Sequence, residues 1–220
     1  MIKSDQLRYI AGAYLSGKGY YSEISPEVPD AVHAPDVMAV KPRARDVIMR
    51  SEKGGAPVGI IYLLKAKEWT SMEAVLQKTG FERTFVHNIL EEARENGWVK
   101  SRVDADGRTS WATDGYRIPA SECLMVWCAA DKPGRALAAL DELAGCYDRG
   151  YLAFPYLVDD RFLHECSHHD TGVMVFEERT AGFIIQLPAK RQKITKIKAY
   201  ASLCEQAVVN HNMMMSGPGN

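Results

Sequence analysis

The sequence predicts an α/β protein: a mixed sheet flanked by helices, interrupted by a separate module of helices and a β-hairpin. A continuous apolar run over Cys123–Ala130 suits a strand that is covered on both faces. A helix-period segment and a second apolar run follow it, which indicates a βαβ unit with parallel strands and a right-handed crossover. Between Pro57 and Tyr116 the pattern changes to short helices that end in two extended runs.

Composition sets the limits for this prediction. The chain has 220 residues, 46% of them hydrophobic, which suffices for a sizeable core in one large domain or two small ones. A formal net charge of −1 gives the whole chain no strong preference for acidic partners.

The amino-terminal part reads as a helix followed by strands. Asp5–Ser16 has the apolar spacing of an amphipathic helix. Strands are predicted over Tyr20–Val28, over Pro35–Val40, which opens with Pro-Asp, and over Asp46–Arg50. The glycine pair Gly54-Gly55 then suggests a linker.

The central part reads as three helices and a hairpin. The predicted elements are a helix over Val58–Trp69, a helix capped by Thr70 or Ser71 that runs through Thr79, a third helix with Phe81, Phe85, Val86, Ile89, Leu90 and Ala93 on one apolar face, and strands over Trp98–Val103 and Thr109–Ala112. Asp104-Ala105-Asp106-Gly107 is a good hairpin turn between these strands.

The carboxyl-terminal part returns to the α/β pattern. After the strand at Cys123–Ala130, we expect a helix over Pro133–Tyr147, a strand over Tyr151–Tyr156, a polar helix or loop over Arg161–His169, strands over Thr171–Phe176 and Gly182–Leu187, and a helix over Lys196–His211. The domains are therefore predicted as an α/β domain over 1–55 and 118–212, an inserted module over 56–117, and a disordered tail over 213–220.

The inserted module resembles the winged helix-turn-helix family along its whole length. The order helix, helix, turn, helix, hairpin carries the resemblance, together with Gly97-Trp98-Val99-Lys100 after the third helix. The resemblance implies that the third helix enters the major groove of double-stranded DNA and that the hairpin, or wing, contacts the backbone. Carried over by position, Arg83, Thr84, His87 and Asn88 would face bases, with Glu91 as a further candidate, and Arg102 and Arg108 would face phosphates.

The charge of the module leaves a protein partner as an alternative. Residues 57–117 contain nine Lys+Arg and nine Asp+Glu, so the module has no net charge. Phosphate contacts usually dominate affinity for DNA, and acidic residues on the third helix (Glu82, Glu91, Glu92 and Glu95) oppose them.

The α/β part resembles the restriction-endonuclease-like, PD-(D/E)xK superfamily. Its order of helix, strand, Pro-Asp strand, buried strand, helix and strand covers about residues 1–55 and 118–190. The resemblance implies that Asp36 matches the first metal-binding aspartate and that Glu23 or Glu27 supplies a helper carboxylate. The second half-motif falls on Trp127-Cys128-Ala129, which offers neither a carboxylate nor a lysine. We therefore expect a degenerate nuclease fold with no catalytic residues, no metal and no cofactor.

An active nuclease remains the alternative for this part. A migrated site would use Glu23, Asp36, Glu52 and Lys53 to hold Mg²⁺ and to stabilise charge on the phosphate. It requires the strand over Asp46–Arg50 to lie beside the Asp36 strand.

Three remaining features concern metal, charge and location. The cluster from His164 to His169 contains zinc-type ligands, but its spacing fits no common zinc module, so a polar connection is the other interpretation. The basic run at Lys190–Lys198 is either a solvated helix start or an extension of a DNA-facing surface. Five cysteines without a C-x-x-C pair, no apolar run long enough for a bilayer and no signal-peptide pattern predict reduced thiols, no membrane partner and a cytoplasmic protein.

Together these features predict a DNA-binding protein, such as a transcriptional regulator or another DNA-associated factor, with a catalytically degenerate nuclease-like domain. A homodimer is left open, and the alternatives are the Mg²⁺-dependent endonuclease and a protein-interaction module.

Overall fold

The computed structural model describes residues 2–28, 33–64, 66, 68–129 and 132–216. The chain divides into two compact units, the first formed by Met1–Pro42 and Ala120–Ala207 and the second by Arg43–Pro119 and Val208–Asn220. Residues 43–55, which the sequence assigned to the α/β part, belong to the second unit in this division.

The helices and strands alternate along most of the chain. The helices are α1 (Ser4–Gly17), α2 (Ala44–Lys53), α3 (Val58–Ile61), α4 (Met72–Thr79), α5 (Arg83–Glu95), α6 (Pro133–Glu142), α7 (Asp160–His168) and α8 (Ile197–Ser216). The strands are β1 (Tyr21–Ile24), β2 (Val37–Pro42), β3 (Thr70–Ser71), β4 (Lys100–Val103), β5 (Thr109–Ala112), β6 (Ala120–Cys128), β7 (Arg149–Phe154), β8 (Gly172–Glu177) and β9 (Gly182–Leu187).

The first unit is built on a six-stranded sheet of order β1-β2-β6-β7-β8-β9. The pairs β6–β7 and β7–β8 are parallel, and the other neighbours are antiparallel. This confirms the predicted α/β class, with a mixed sheet flanked by helices and a parallel βαβ unit at β6-α6-β7.

Both faces of the sheet are buried at the central strand β6, as its continuous apolar run predicted. On one face, Leu7 and Ala11 of α1 pack in a cluster with alternate strand residues such as Val126. On the other face, a Cβ atom at Gly150 of β7 would clash with the side chains of Leu140 and Tyr147. The glycine therefore allows α6 and the segment after it to pack closely on the strand.

The second unit has its own three-stranded antiparallel sheet of order β3-β5-β4. Its core is a separate cluster that contains the fully buried Trp111 together with Ile61, Val75, Val86 and Leu90. The hairpin of β4 and β5 appears where the sequence predicted it, whereas the two-residue β3 was not predicted.

The prediction of a strand over Asp46–Arg50 is wrong, because these residues lie in α2. Asp46 and Arg50, four residues apart, are buried, whereas Ile48 is exposed. Arg50 donates to the carbonyl of Arg117 at 2.9 Å and lies over the Trp98 ring, 4.8 Å from its centroid. The side of α2 that faces the core carries Asp46 and Arg50, which are charged, rather than apolar residues. The apolar residues therefore do not mark the buried side of the helix, and hydropathy alone predicted a strand.

Other helical predictions also need correction. The helix predicted over Val58–Trp69 ends at Ile61, and the helix predicted over Pro133–Tyr147 ends at Glu142. Phe81 and Phe85 were expected on the apolar face of the third helix, but they are 54% and 51% exposed, with ring centroids 5.3 Å apart. The last helix extends through Ser216, so the predicted tail is helical over Met213–Ser216, and residues 217–220 lie outside the described part. In the described part of the chain, none of the helices combines the length and apolar character needed to cross a membrane.

Candidate functional site

A cleft of about 420 Å³ lies between α4, α5 and the hairpin of the second unit. It is lined by Met72, Glu73, Arg83, Thr84, His87, Gly107, Arg108 and Thr109. Four of the six residues predicted to contact DNA, Arg83, Thr84, His87 and Arg108, therefore come together in one place.

Helix α5 presents its polar residues because its other face is anchored in the core. Val86 and Leu90 are fully buried, which turns Arg83, Thr84 and His87 outward. The His87 ring also packs edge-on against buried Trp111, with centroids 6.4 Å apart. The orientation of the helix relative to β5 is thus fixed by packing below the cleft.

The hairpin turn positions Arg108 at the other wall of the cleft. The Asp104 carboxylate accepts hydrogen bonds from the backbone amides of Asp106, at 3.1 Å, and Arg108, at 2.8 Å. Gly107 has φ +73°, a conformation that glycine adopts without strain. This network holds the turn that carries Arg108.

An ion pair joins the amino ends of the two helices at the cleft. Arg83 Nη2 donates to Glu73 Oε1 at 2.8 Å, and both side chains are about two-thirds exposed. The pKa of Glu73 is lowered by its own backbone amide at the start of α4 and then by Arg83. Glu73 and Arg108 also line a second depression with Ser71, Asp104 and Ser110. Glu73 was not among the residues predicted to contact DNA. Ser71, one of the two predicted caps, caps α4 by accepting from Ala74 N at 3.2 Å.

The other two predicted DNA contacts lie outside the cleft lining. Asn88 is exposed on α5, next to His87. Arg102 is exposed on β4, with its guanidinium 4.5 Å from the centroid of the Trp69 ring. Trp69 was not predicted as a functional residue, and its stacking on Arg102 joins an aromatic face to the basic hairpin.

In the first unit, Asp36 is engaged by the strand that faces it. Its Oδ2 accepts a hydrogen bond from the backbone amide of Cys128 at 2.7 Å, at the end of β6. Burial raises the pKa of Asp36, and the Cys128 amide and Arg8 partly oppose that shift. The carboxyl group of Asp36, which the resemblance assigned as a metal ligand, therefore accepts the hydrogen bond of the last backbone amide of β6.

The remaining members of the alternative nuclease site are placed elsewhere. Glu23 Oε1 accepts from Gln206 Nε2 at 3.1 Å. Glu52 and Lys53 lie on α2 in the second unit, so the strand that the migrated site required is not formed. Lys53 Nζ donates to the carbonyl of Gly97 at 3.1 Å.

The candidate metal ligands between His164 and His169 are spread over α7 and its surroundings. The rings of His164 and His168 lie 4.5 Å apart on α7, and His169 Nδ1 contacts Asp141 Oδ2 at 2.7 Å. Among the described residues, no group of three or more His, Cys, Asp and Glu side chains is arranged to hold a metal ion. All five cysteines are free thiols, as predicted.

The basic run near Lys190 contributes to the structure of the first unit. Arg191 pairs with Asp148, whose side chain is 2% exposed, at 2.8 Å. Lys190 pairs with Asp170 at 2.9 Å, and Lys196 donates to the carbonyl of Glu142 at 2.9 Å. Asp148 also accepts from the Cys123 amide at 2.8 Å and from the Tyr200 hydroxyl at 2.7 Å, a buried network that the sequence did not predict.

Comparison with protein-family models, with curated proteins and with solved structures found no match to this chain.

Proposed function

We propose that this chain is a double-stranded DNA-binding protein whose second unit contains a winged helix-turn-helix. Helix α5 reads the major groove through Arg83, Thr84, His87 and Asn88, and the hairpin contacts phosphates through Arg102 and Arg108. The observation that carries the proposal is the cleft in which Arg83, Thr84 and His87 of α5 face Arg108 of the hairpin. Arginine and asparagine at such positions make bidentate contacts to guanine and adenine edges.

The order of elements supports the same proposal. The segment α3-β3-α4-α5-β4-β5 has the helix, helix, turn, helix, hairpin succession of that family, with a sheet separate from the six-stranded one. A gene regulator or another DNA-associated factor is the role that fits a reader of this type.

For the first unit we propose a degenerate restriction-endonuclease-like fold. The succession α1-β1-β2, then β6-α6-β7 after the inserted segment, with β2 antiparallel to β6 and β6 parallel to β7, supports this assignment. A nuclease of this type needs converging carboxylates, whereas the β6 partner of Asp36 offers a backbone amide of Cys128. The unit then serves as a scaffold without cleavage.

The test is selection of bound duplexes from a random DNA pool, followed by gel shifts on the selected sequence. Arg83→Ala and Asn88→Ala should each weaken specific binding about tenfold, since a bidentate base contact gives roughly 1–3 kcal/mol of discrimination. Arg94→Ala is the matched control, because Arg94 also lies on α5 and also pairs with a glutamate, Glu91, at 2.7 Å. If Arg83→Ala and Asn88→Ala bound the selected duplex as tightly as the control Arg94→Ala does, the proposal would be contradicted.

Mg²⁺-dependent nicking of a plasmid by the wild type but not by Asp36→Ala would establish the nuclease alternative.

A protein-interaction module is the second candidate function. The observation that favours it is the exposed pair of Phe81 and Phe85 at the amino end of α5, where two large apolar rings are about half exposed. Under this alternative, Phe85→Ala abolishes association with the protein partner and the random pool yields no enriched sequence. Under the DNA-binding proposal, Phe85→Ala leaves the gel shift unchanged.

A further inference from the structure

We propose that Glu73 is a specificity-determining residue of the α5 surface: it positions Arg83 for a guanine edge and keeps that arginine from binding DNA phosphate. This inference rests on the proposed DNA-binding function and assigns to it a preferred base, guanine, at the position that Arg83 reads.

Glu73 and Arg83 lie at the starts of two helices. Arg83 is the first residue of α5 and Glu73 the second residue of α4, so the 2.8 Å ion pair bridges the amino ends of two helices. Both side chains line the cleft that also contains Arg108. An arginine at the end of a helix has many rotamers, and the carboxylate selects those that keep the guanidinium at the cleft.

Arg83 has more hydrogen-bond donors than the ion pair with Glu73 uses. A guanidinium has five N–H donors, and the observed bond uses a donor of Nη2. Guanine presents two acceptors, O6 and N7, in the major groove, and arginine binds them with two donors. The ion pair with Glu73 and the contact to guanine are therefore compatible.

The Glu73 carboxylate affects the two possible ligands of Arg83, phosphate and guanine, differently. A phosphate that approached Arg83 would also approach the Glu73 carboxylate, and like charges repel at short range. A guanine edge carries only partial negative charges, at O6 and N7, so it meets a much weaker repulsion than a phosphate does. A glutamate is charged at neutral pH even with its ordinary pKa, and its backbone amide at the start of α4, followed by Arg83, lowers the pKa of Glu73 further.

The chain provides a matched control for this pair. Lys100 Nζ and Asp114 Oδ2 form another ion pair in the second unit, at 2.7 Å and with side chains 65% and 72% exposed. Neither residue lines the cleft. Exposed pairs of this kind contribute little to stability, so Glu73→Gln and Asp114→Asn should both fold normally.

The experiment uses the full chain and the duplex selected by the wild type, with each G·C pair replaced in turn. For Glu73→Gln, discrimination at one guanine should fall about tenfold. Binding to an unrelated duplex should tighten, and its log–log salt slope should steepen by about 0.9, because Arg83 gains one phosphate contact. Asp114→Asn should match the wild type in all three measurements, and circular dichroism should show the same fold for each variant.

Two outcomes overturn the inference in different ways. If the wild type discriminates among duplexes and Glu73→Gln keeps that discrimination and the salt slope, Glu73 has no role in specificity while the proposed function stands. If the wild type itself enriches no duplex and shifts none, the proposed function fails and this inference fails with it.

Discussion

The charged side chains of the two units are used in different ways. In the first unit, the buried carboxylate of Asp148, just before β7, accepts hydrogen bonds from β6, from α8 and from the more exposed Arg191 in the loop before α8. In the second unit, Arg83, His87 and Arg108 remain exposed around a cleft. A basic side chain in sequence is thus a poor guide to a binding surface until its partners are known.

This comparison also reverses an expectation from composition. The densest basic run, near Lys190, supplies one ion pair to buried Asp148, one exposed ion pair to Asp170 and a hydrogen bond to the carbonyl at the end of α6. The module with no net charge carries the exposed cluster of predicted contacts. Local placement of charge, rather than its total, determines which surface can meet an anion.

The largest effect is expected from Asp148→Ala in the first unit. The change leaves the buried Cys123 amide and Tyr200 hydroxyl without their acceptor, so the free energy of unfolding should fall by about 3 kcal/mol. Urea denaturation measures it. Lys190→Ala, which removes the exposed ion pair with Asp170, should cost less than about 1 kcal/mol. A loss of similar size in both variants would remove the distinction between structural and surface charges in this unit.

The sequence predicts those elements whose signals are local. The apolar run of β6, the period of α5 and the Asp-Gly turn of the hairpin each specify their element within a few residues. Helix α2 was missed because buried Arg50 satisfies its polar head with a carbonyl 67 residues away in sequence. The contacts Glu73–Arg83 and Asp148–Arg191 join separate elements, so no single-sequence pattern reveals them.

A smaller effect is expected from Arg108→Ala, which tests the binding side of the comparison. If Arg108 contacts a phosphate, the change weakens binding to all duplexes alike and reduces the log–log salt slope by about 0.9. Lys193→Ala removes an exposed basic residue from the loop of the first unit and should leave both quantities unchanged. Gel shifts at several salt concentrations give the slopes. A greater loss with Lys193→Ala would move the DNA-facing surface to the first unit.

The smallest effect is expected from Asp36→Asn, which asks whether the carboxyl group is structural. Burial raises the pKa of Asp36, so the native state binds its proton more tightly than the unfolded chain does. The contribution of Asp36 is therefore most favourable below its unfolded pKa of 3.8, and it declines as the pH rises through the folded pKa. An asparagine oxygen can still accept from the Cys128 amide but carries no charge. The variant should lose this pH dependence and be slightly more stable than the wild type at neutral pH, as measured by urea unfolding across that range.

Mg²⁺ should stabilise neither protein, because Asp36 already holds the Cys128 amide at 2.7 Å. If Mg²⁺ raised the unfolding midpoint of the wild type alone, Asp36 would be a metal ligand and the nuclease alternative would be favoured over the degenerate fold.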